Sequence, residues 1–157
     1  MSTVSAKIVI NAPIERVWET VMDPAHLGDW VTIHKSVANI SDSPLRAGST
    51  MDQTMHVRGL TFRVHWTLMA IDSPRRAEWE GGGPARSTAV IRYELSSDRD
   101  DRTTFQYTNE FHPPGGRLGS VASRIIVGAT SEREATRSLQ RLKALVEARL
   151  KVLVQRG

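Results

Sequence analysis

The chain has 157 residues, no cysteine, a net charge of +4 and a pI near 10. That length suffices for one domain, residues 1–157, whose core needs no covalent staples; the missing cysteines exclude disulfides and thiol chemistry. No apolar stretch approaches the roughly 18 residues a membrane span requires, and the start of the chain lacks a basic region followed by an apolar run, so stable membrane insertion and secretion are not expected and the expected location is cytoplasmic.

Thr3 to Ile10 alternates, with Val4, Ala6, Ile8 and Ile10 against Ser5, Lys7 and Val9, and predicts a strand. Asn11-Ala12-Pro13 opens a helix, with Asn11 or Ala12 near the cap and Pro13 in the first turn. Its apolar face is Ile14, Val17, Trp18 and Val21, and Asp23-Pro24 ends it before a second short helical turn through Trp30. Strands follow at Ile33–Ile40, Ser49–Arg58 and Leu60–Ile71. Arg58-Gly59 is the tight connection to the longest strand, in which Leu60, Phe62, Val64, Trp66, Leu68 and Ala70 alternate with polar residues, the mark of a half-buried antiparallel strand. Arg75–Glu80 is a short strand ending in Gly81-Gly82-Gly83-Pro84, read as a flexible hairpin near a cavity mouth. Arg86–Ser96 and Arg102–His112 complete the strands around a charged tip at Asp98–Asp101.

From about Leu118 to Val154 the period changes to that of a helix. Val121, Ile125, Gly128, Ser131, Ala135, Leu139, Leu142, Val146, Leu150 and Leu153 step by three or four and share one face. The residues near the start of that face are mostly small and those near its end are large. Because cores pack to crystal-like density, small residues on a helix that covers a curved sheet leave space there. Arg133, Arg137 and Arg141 step by four on another face. A patch for phosphate or anionic lipid would use them, but interspersed Glu132, Glu134 and Glu147 favour a solvated face.

The order is therefore strand, two short helices, about six sequential strands and a long helix. It predicts an α+β domain in which a curved antiparallel sheet of about seven strands wraps the terminal helix. The opening Ile8-Val9-Ile10-Asn11-Ala12-Pro13-Ile14-Glu15-Arg16-Val17-Trp18 resembles the start of the polyketide cyclase/dehydrase and lipid-transport superfamily, the SRPBCC or helix-grip proteins that include START domains and birch-pollen allergens. So do Asp23-Pro24 followed by Trp30, Tyr107-Thr108-Asn109-Glu110-Phe111, the Pro-Gly loop with Leu118-Gly119, and the helix ending Leu142-Lys143-Ala144-Leu145-Val146-Glu147. The resemblance runs from about Val4 to Leu150. It implies a cavity between sheet and helix and no particular reaction, because cyclases, hydrolases, lipid carriers, hormone receptors and chaperone regulators share this scaffold.

Strand phase and helix face together select the candidate ligand-binding residues: Met55, Trp66, Trp79, Tyr93, Tyr107, Asn109 and Phe111 from strands, and Ile125, Gly128 and Ala135 from the helix. Met51, Phe62, Val64, Ala77, Ile91, Phe105 and Val121 share those faces. Asn109 is the most pointed polar group, since a buried amide needs a partner in the protein, a water or a ligand. His56 and His65 lie on adjacent strands and could face each other on the convex side, where Glu110 and His112 also point. No histidine pair has metal-ligand spacing, and neither a Gly-x-Ser-x-Gly elbow nor a phosphate loop is present, so no metal or cofactor is expected. The aromatic residues are in phase with the buried face, which argues against nucleic-acid stacking. The expected partner is a hydrophobic small molecule or lipid. A cyclase, aromatase or dehydratase, and a protein-interaction module such as a chaperone-ATPase activator, are the alternatives; the catalytic residues and the oligomeric state stay open.

Overall fold

The computed structural model describes residues 2–113, 124 and 131–156. Strand β1 (Ser2–Ile10) keeps the expected alternation, with Val4, Ala6 and Ile8 half-buried, Ile10 fully buried and the intervening residues exposed. Helix α1 (Ile14–Val21) buries Val17, Trp18, Thr20 and Val21. Its N-cap is Pro13, held in extended backbone, so Pro13 precedes the first turn and neither Asn11 nor Ala12 caps it. Those two residues are committed elsewhere: Asn11 Nδ2 donates to Glu147 Oε1 at 3.3 Å, and the Ala12 carbonyl accepts from Thr103 Oγ1 at 2.8 Å. The Asp23 carboxylate accepts from the Ala25 amide at 3.0 Å and starts a 3-10 turn, Pro24–His26, which leads into the four-residue helix α2 (Leu27–Trp30).

Six strands then follow in sequence: β2 (His34–Ala38), β3 (Thr50–Val57), β4 (Leu60–Asp72), β5 (Arg76–Gly82), β6 (Thr88–Arg99) and β7 (Arg102–His112). They form one antiparallel sheet in the order β1-β7-β6-β5-β4-β3-β2, so β1 joins the far edge of the meander beside β7. The β3–β4 turn places Arg58 and Gly59 at φ 49° and 82°, the left-handed pair that a two-residue hairpin of matching twist demands.

Two strands depart from expectation, one in phase and one in length. In β4 the register shifts between Leu68 and Ala70, so Ala70 faces solvent and Ile71 turns inward beside Ala77; one extra residue reverses every following side chain. In β5, Gly81 and Gly82 belong to the strand, paired to Ala89 and Thr88, and are no flexible hairpin. A Cβ on Gly81 would stand 2.6 Å from Trp66 Cε3 and 2.7 Å from Val64 Cγ1, so the glycine lets the Trp66 ring lie directly on the strand.

Helix α3 (Glu132–Arg156) crosses the concave face of this curled sheet. Leu139, Leu142 and Val146 are buried beneath it, while Arg133, Arg137 and Arg141 are exposed, as a solvated face requires. Leu150 packs at the core margin, but Leu153 is 46% exposed, so the inward face ends one turn earlier than its periodicity implies. The expected helical stretch from Leu118, with Val121, Ile125 and Gly128, lies outside the described residues. Polar ties fix the helix at its flank: Lys143 Nζ donates to the Val9 carbonyl at 3.1 Å and pairs with Glu147 Oε2 at 2.5 Å.

Candidate functional site

Sheet and helix do not close completely. A cavity of ≈ 130 Å³ lies between them. Its floor is the inward phase of β3 to β7: Met51, Gln53 and Met55, then Phe62, Val64 and Trp66, Trp79, Ala89, Ile91 and Tyr93, and finally Tyr107, Asn109 and Phe111. Its roof is Ser131, Glu134, Ala135, Ser138 and Leu139 of the α3 segment. Its side wall is Val21, Met22, Pro24, Leu27, Trp30, Val31, Thr32 and Ile33, and Leu45 reaches in from the β2–β3 loop.

Eight of the ten residues singled out from the sequence line this space: Met55, Trp66, Trp79, Tyr93, Tyr107, Asn109, Phe111 and Ala135. Ile125 and Gly128 lie outside the described residues. Ala77 and Phe105 share the inward phase but sit in solid core, both fully buried. Sequence reasoning missed most of the side wall and, among polar groups, Gln53, Trp30, Thr32, Glu134 and Ser138. Gln53 was legible, since it shares the strand phase of Met51 and Met55. Trp30, Thr32 and Glu134 carry no comparable signal, because loop geometry and helix rotation bring them in.

The aromatic residues form a connected cluster. Trp30 meets Tyr93 edge-on at 6.2 Å and Phe105 at 6.4 Å, Tyr93 tilts against Phe105 at 5.3 Å, and Tyr93 and Tyr107 are 6.3 Å apart. Burial raises the Tyr93 hydroxyl above its ordinary value, with Tyr107 adding to the rise. Burial pushes Tyr107 up to about 12, with a polar contact from Asn109 acting in the opposite direction. Both phenols are therefore neutral hydrogen-bonding groups at physiological pH.

The other polar groups divide into satisfied and unsatisfied. Trp66 Nε1 donates to Gln53 Oε1 at 2.9 Å, and Gln53 Nε2 donates to His34 Nδ1 at 2.9 Å. That bond requires His34 Nδ1 to be unprotonated, in agreement with burial lowering its pKa. At the roof, Thr32 Oγ1 donates to Glu134 Oε2 at 2.7 Å and the Thr32 amide donates to Ser138 Oγ at 3.2 Å, which ties the α2–β2 connection to α3. Ser131 Oγ accepts from the Glu134 amide at 3.3 Å and its carbonyl from the Ala135 amide at 3.0 Å, as an N-cap does. Trp30 Nε1 and Asn109 Oδ1 are buried without a partner among the described residues.

The convex face holds the histidines that the sequence placed there, but His56 and His65 do not face each other. His56 Nδ1 bonds Thr61 Oγ1 at 2.7 Å, and His65 Nδ1 bonds Asp52 Oδ1 at 2.6 Å, because the β3–β4 register pairs each with a different residue. Among the described residues no cluster of three or more histidine, aspartate or glutamate side chains could hold a metal ion. None of their helices is long and apolar enough to cross a membrane.

A curled seven-stranded antiparallel sheet gripping a terminal helix over an apolar cavity is the helix-grip architecture. The family model described as polyketide cyclase/dehydrase and lipid transport matches residues 1–147, and the chain belongs to that family. Among solved structures it is similar to the Zhui aromatase/cyclase from Streptomyces sp. R1128, with a TM-score of 0.75 and 18% identity over 95% of each chain. It is also similar to a START superfamily protein from Mycobacterium smegmatis, with a TM-score of 0.71 and 12% identity over 93% of this chain and 97% of the other. At such identities the likeness is one of fold. Two relatives from Mycobacterium tuberculosis strains, Toxin MT0934 and Toxin Rv0910, are each 26% identical over 83 residues, 53% of this chain; the match spans 58% of their own length.

Proposed function

We propose that residues 1–157 act as one ligand-binding domain that carries a small hydrophobic molecule or lipid component between the sheet and α3. The observation behind this reading is the ≈ 130 Å³ cavity lined by apolar and aromatic side chains. A pocket of that make-up binds chiefly by apolar burial and uses a few polar groups to orient its occupant. A protein-interaction module would have filled this space, since an unfilled core forfeits packing. The reading carries with it a cytoplasmic location and no nucleic-acid partner. Purified protein should release a stoichiometric small molecule on organic extraction, or take up a neutral one-ring probe such as toluene in a calorimetric titration. A sample that is empty and also refuses the probe would overturn it.

A second reading, a cyclase or dehydratase, is favoured by one group that the strand pattern does not supply. Glu134 lines the cavity, and its carboxylate is oriented by Thr32. A carboxylate within reach of a bound β-ketone is a candidate acid or base for enolisation. Turnover of a linear poly-β-ketone that disappears in Glu134→Gln, while probe binding persists, would establish this reading; probe binding with no turnover in wild type would dismiss it.

A further inference from the structure

The cavity presents two polar atoms that its described walls leave unmet. Trp30 is 2% and Asn109 5% exposed, both line the cavity, and neither Trp30 Nε1 nor Asn109 Oδ1 has a hydrogen-bond partner among the described residues. A buried donor or acceptor without a partner is costly and uncommon, so each such atom calls for an explanation. Trp66 provides the contrast within the same cavity, since its indole N–H is met by Gln53. Among the described residues one tryptophan has an internal partner and the other has none.

The charge of the walls restricts what can meet these atoms. The described lining residues include no lysine, arginine or histidine, and one carboxylate, Glu134. An anion entering here would lose its hydration with no cation to replace it and a carboxylate nearby. A hydroxyl loses little. It is also the group that answers Asn109 in either amide orientation, donating to the oxygen or accepting from the nitrogen. The volume sets the size: ≈ 130 Å³ is close to the roughly 150 Å³ of an apolar cavity that admits benzene.

Resting on the ligand-binding reading above, we propose that the cavity selects an uncharged alcohol or phenol of one ring, its hydroxyl bonded to the Asn109 amide and an acceptor on its frame turned to the Trp30 N–H. The described walls disfavour charged lipids and fatty-acid anions for the same reason.

Calorimetric titration of the wild-type protein with benzene, phenol, cyclohexanol and benzoate tests this. At least one of the two hydroxylated compounds should bind about tenfold tighter than benzene, the gain that one or two neutral hydrogen bonds supply. Which of them gains more tells whether the ring frame is aromatic or saturated, and either result supports the proposal. Benzoate should bind more weakly than phenol. In Asn109→Leu the hydroxyl advantage should fall away while benzene affinity holds; these probes carry no second acceptor, so Trp30→Phe should leave that advantage in place. Benzene binding without a hydroxyl advantage, or tighter binding of benzoate, would overturn the proposal and leave the cavity reading standing. Failure of every compound to bind would overturn both. The wild-type series decides even if a variant does not fold.

Discussion

The two halves of the contact between α3 and the sheet use the same geometry to opposite ends. Toward the C-terminal half, Leu142 and Val146, with Leu139 at the boundary, share one core with Ile10, Val17 and Phe105, and the side chains of Ile10, Val17, Leu139, Leu142 and Phe105 are almost completely shielded. Toward the N-terminal half, Ser131, Glu134, Ala135 and Ser138 face Trp79, Tyr107 and Asn109 across open space. Helix and sheet continue without a break between these halves; what changes is the volume of the roof residues. Stability and binding are thus separated along one helix, with the packed half anchoring the element and the small-residue half leaving room beneath it.

The comparison is broken most severely at the packed half. Leu142→Ala should lower unfolding free energy by about 2–5 kcal/mol, the range for a buried leucine whose site cannot collapse; equilibrium denaturation would measure it, and a loss comparable to that of a surface change would mean that this half is not the anchor. Gly81→Ala comes next. Its Cβ would overlap Trp66 and Val64 at 2.6–2.7 Å, and overpacking a fixed ring against a central strand should cost about 1–3 kcal/mol. The same melt, read with probe binding, should show the cavity floor disturbed as well.

Ala135→Trp sharpens the comparison from the other side. The new ring enters empty space, so the loss of stability should stay below that of Leu142→Ala while probe uptake is abolished. Undiminished probe binding by the folded variant would mean that the occupied space is elsewhere. The smallest effect is one of pH. Asp42 holds the β2–β3 loop that brings Leu45 to the cavity, and hydrogen bonds from Ser41 and then Ser49 keep its carboxyl below its ordinary value of 3.8. A carboxylate with a depressed folded pKa contributes stability above its unfolded value and loses it as pH falls through the folded one. Wild type should therefore exceed Asp42→Asn in melting temperature at neutral pH, and the gap should shrink as pH drops below about 4. A gap that is constant with pH would show that the Asp42 charge plays no part.

The strand interior was highly legible because a period of two leaves little choice once one face is buried. β7 carries Phe105, Tyr107, Asn109 and Phe111 on the cavity side over the full span read from the sequence. Legibility failed where a local insertion changes phase, as at Ala70, and where a long-range contact commits a residue, as at Asn11. It failed again at Gly81, whose glycine looks like a turn residue until the Trp66 ring is placed against it.

By itself the amino-acid sequence determined the order of elements, the inward faces of strands and helix, and eight of the residues that line the cavity, because alternation and helical spacing are local consequences of backbone geometry and apolar burial. The tertiary structure alone decided which inward residues border open space and which fill core: Phe105 and Tyr107 are two residues apart on one face, yet Phe105 is packed solid and Tyr107 lines the cavity. It also brought Trp30 and Glu134 to the same cavity from opposite ends of the chain and left Trp30 Nε1 and Asn109 Oδ1 without partners among the described residues. Volume and hydrogen-bond satisfaction depend on what stands across a gap, and that neighbour is set by the closing of the sheet over the helix, at a sequence separation no local pattern spans.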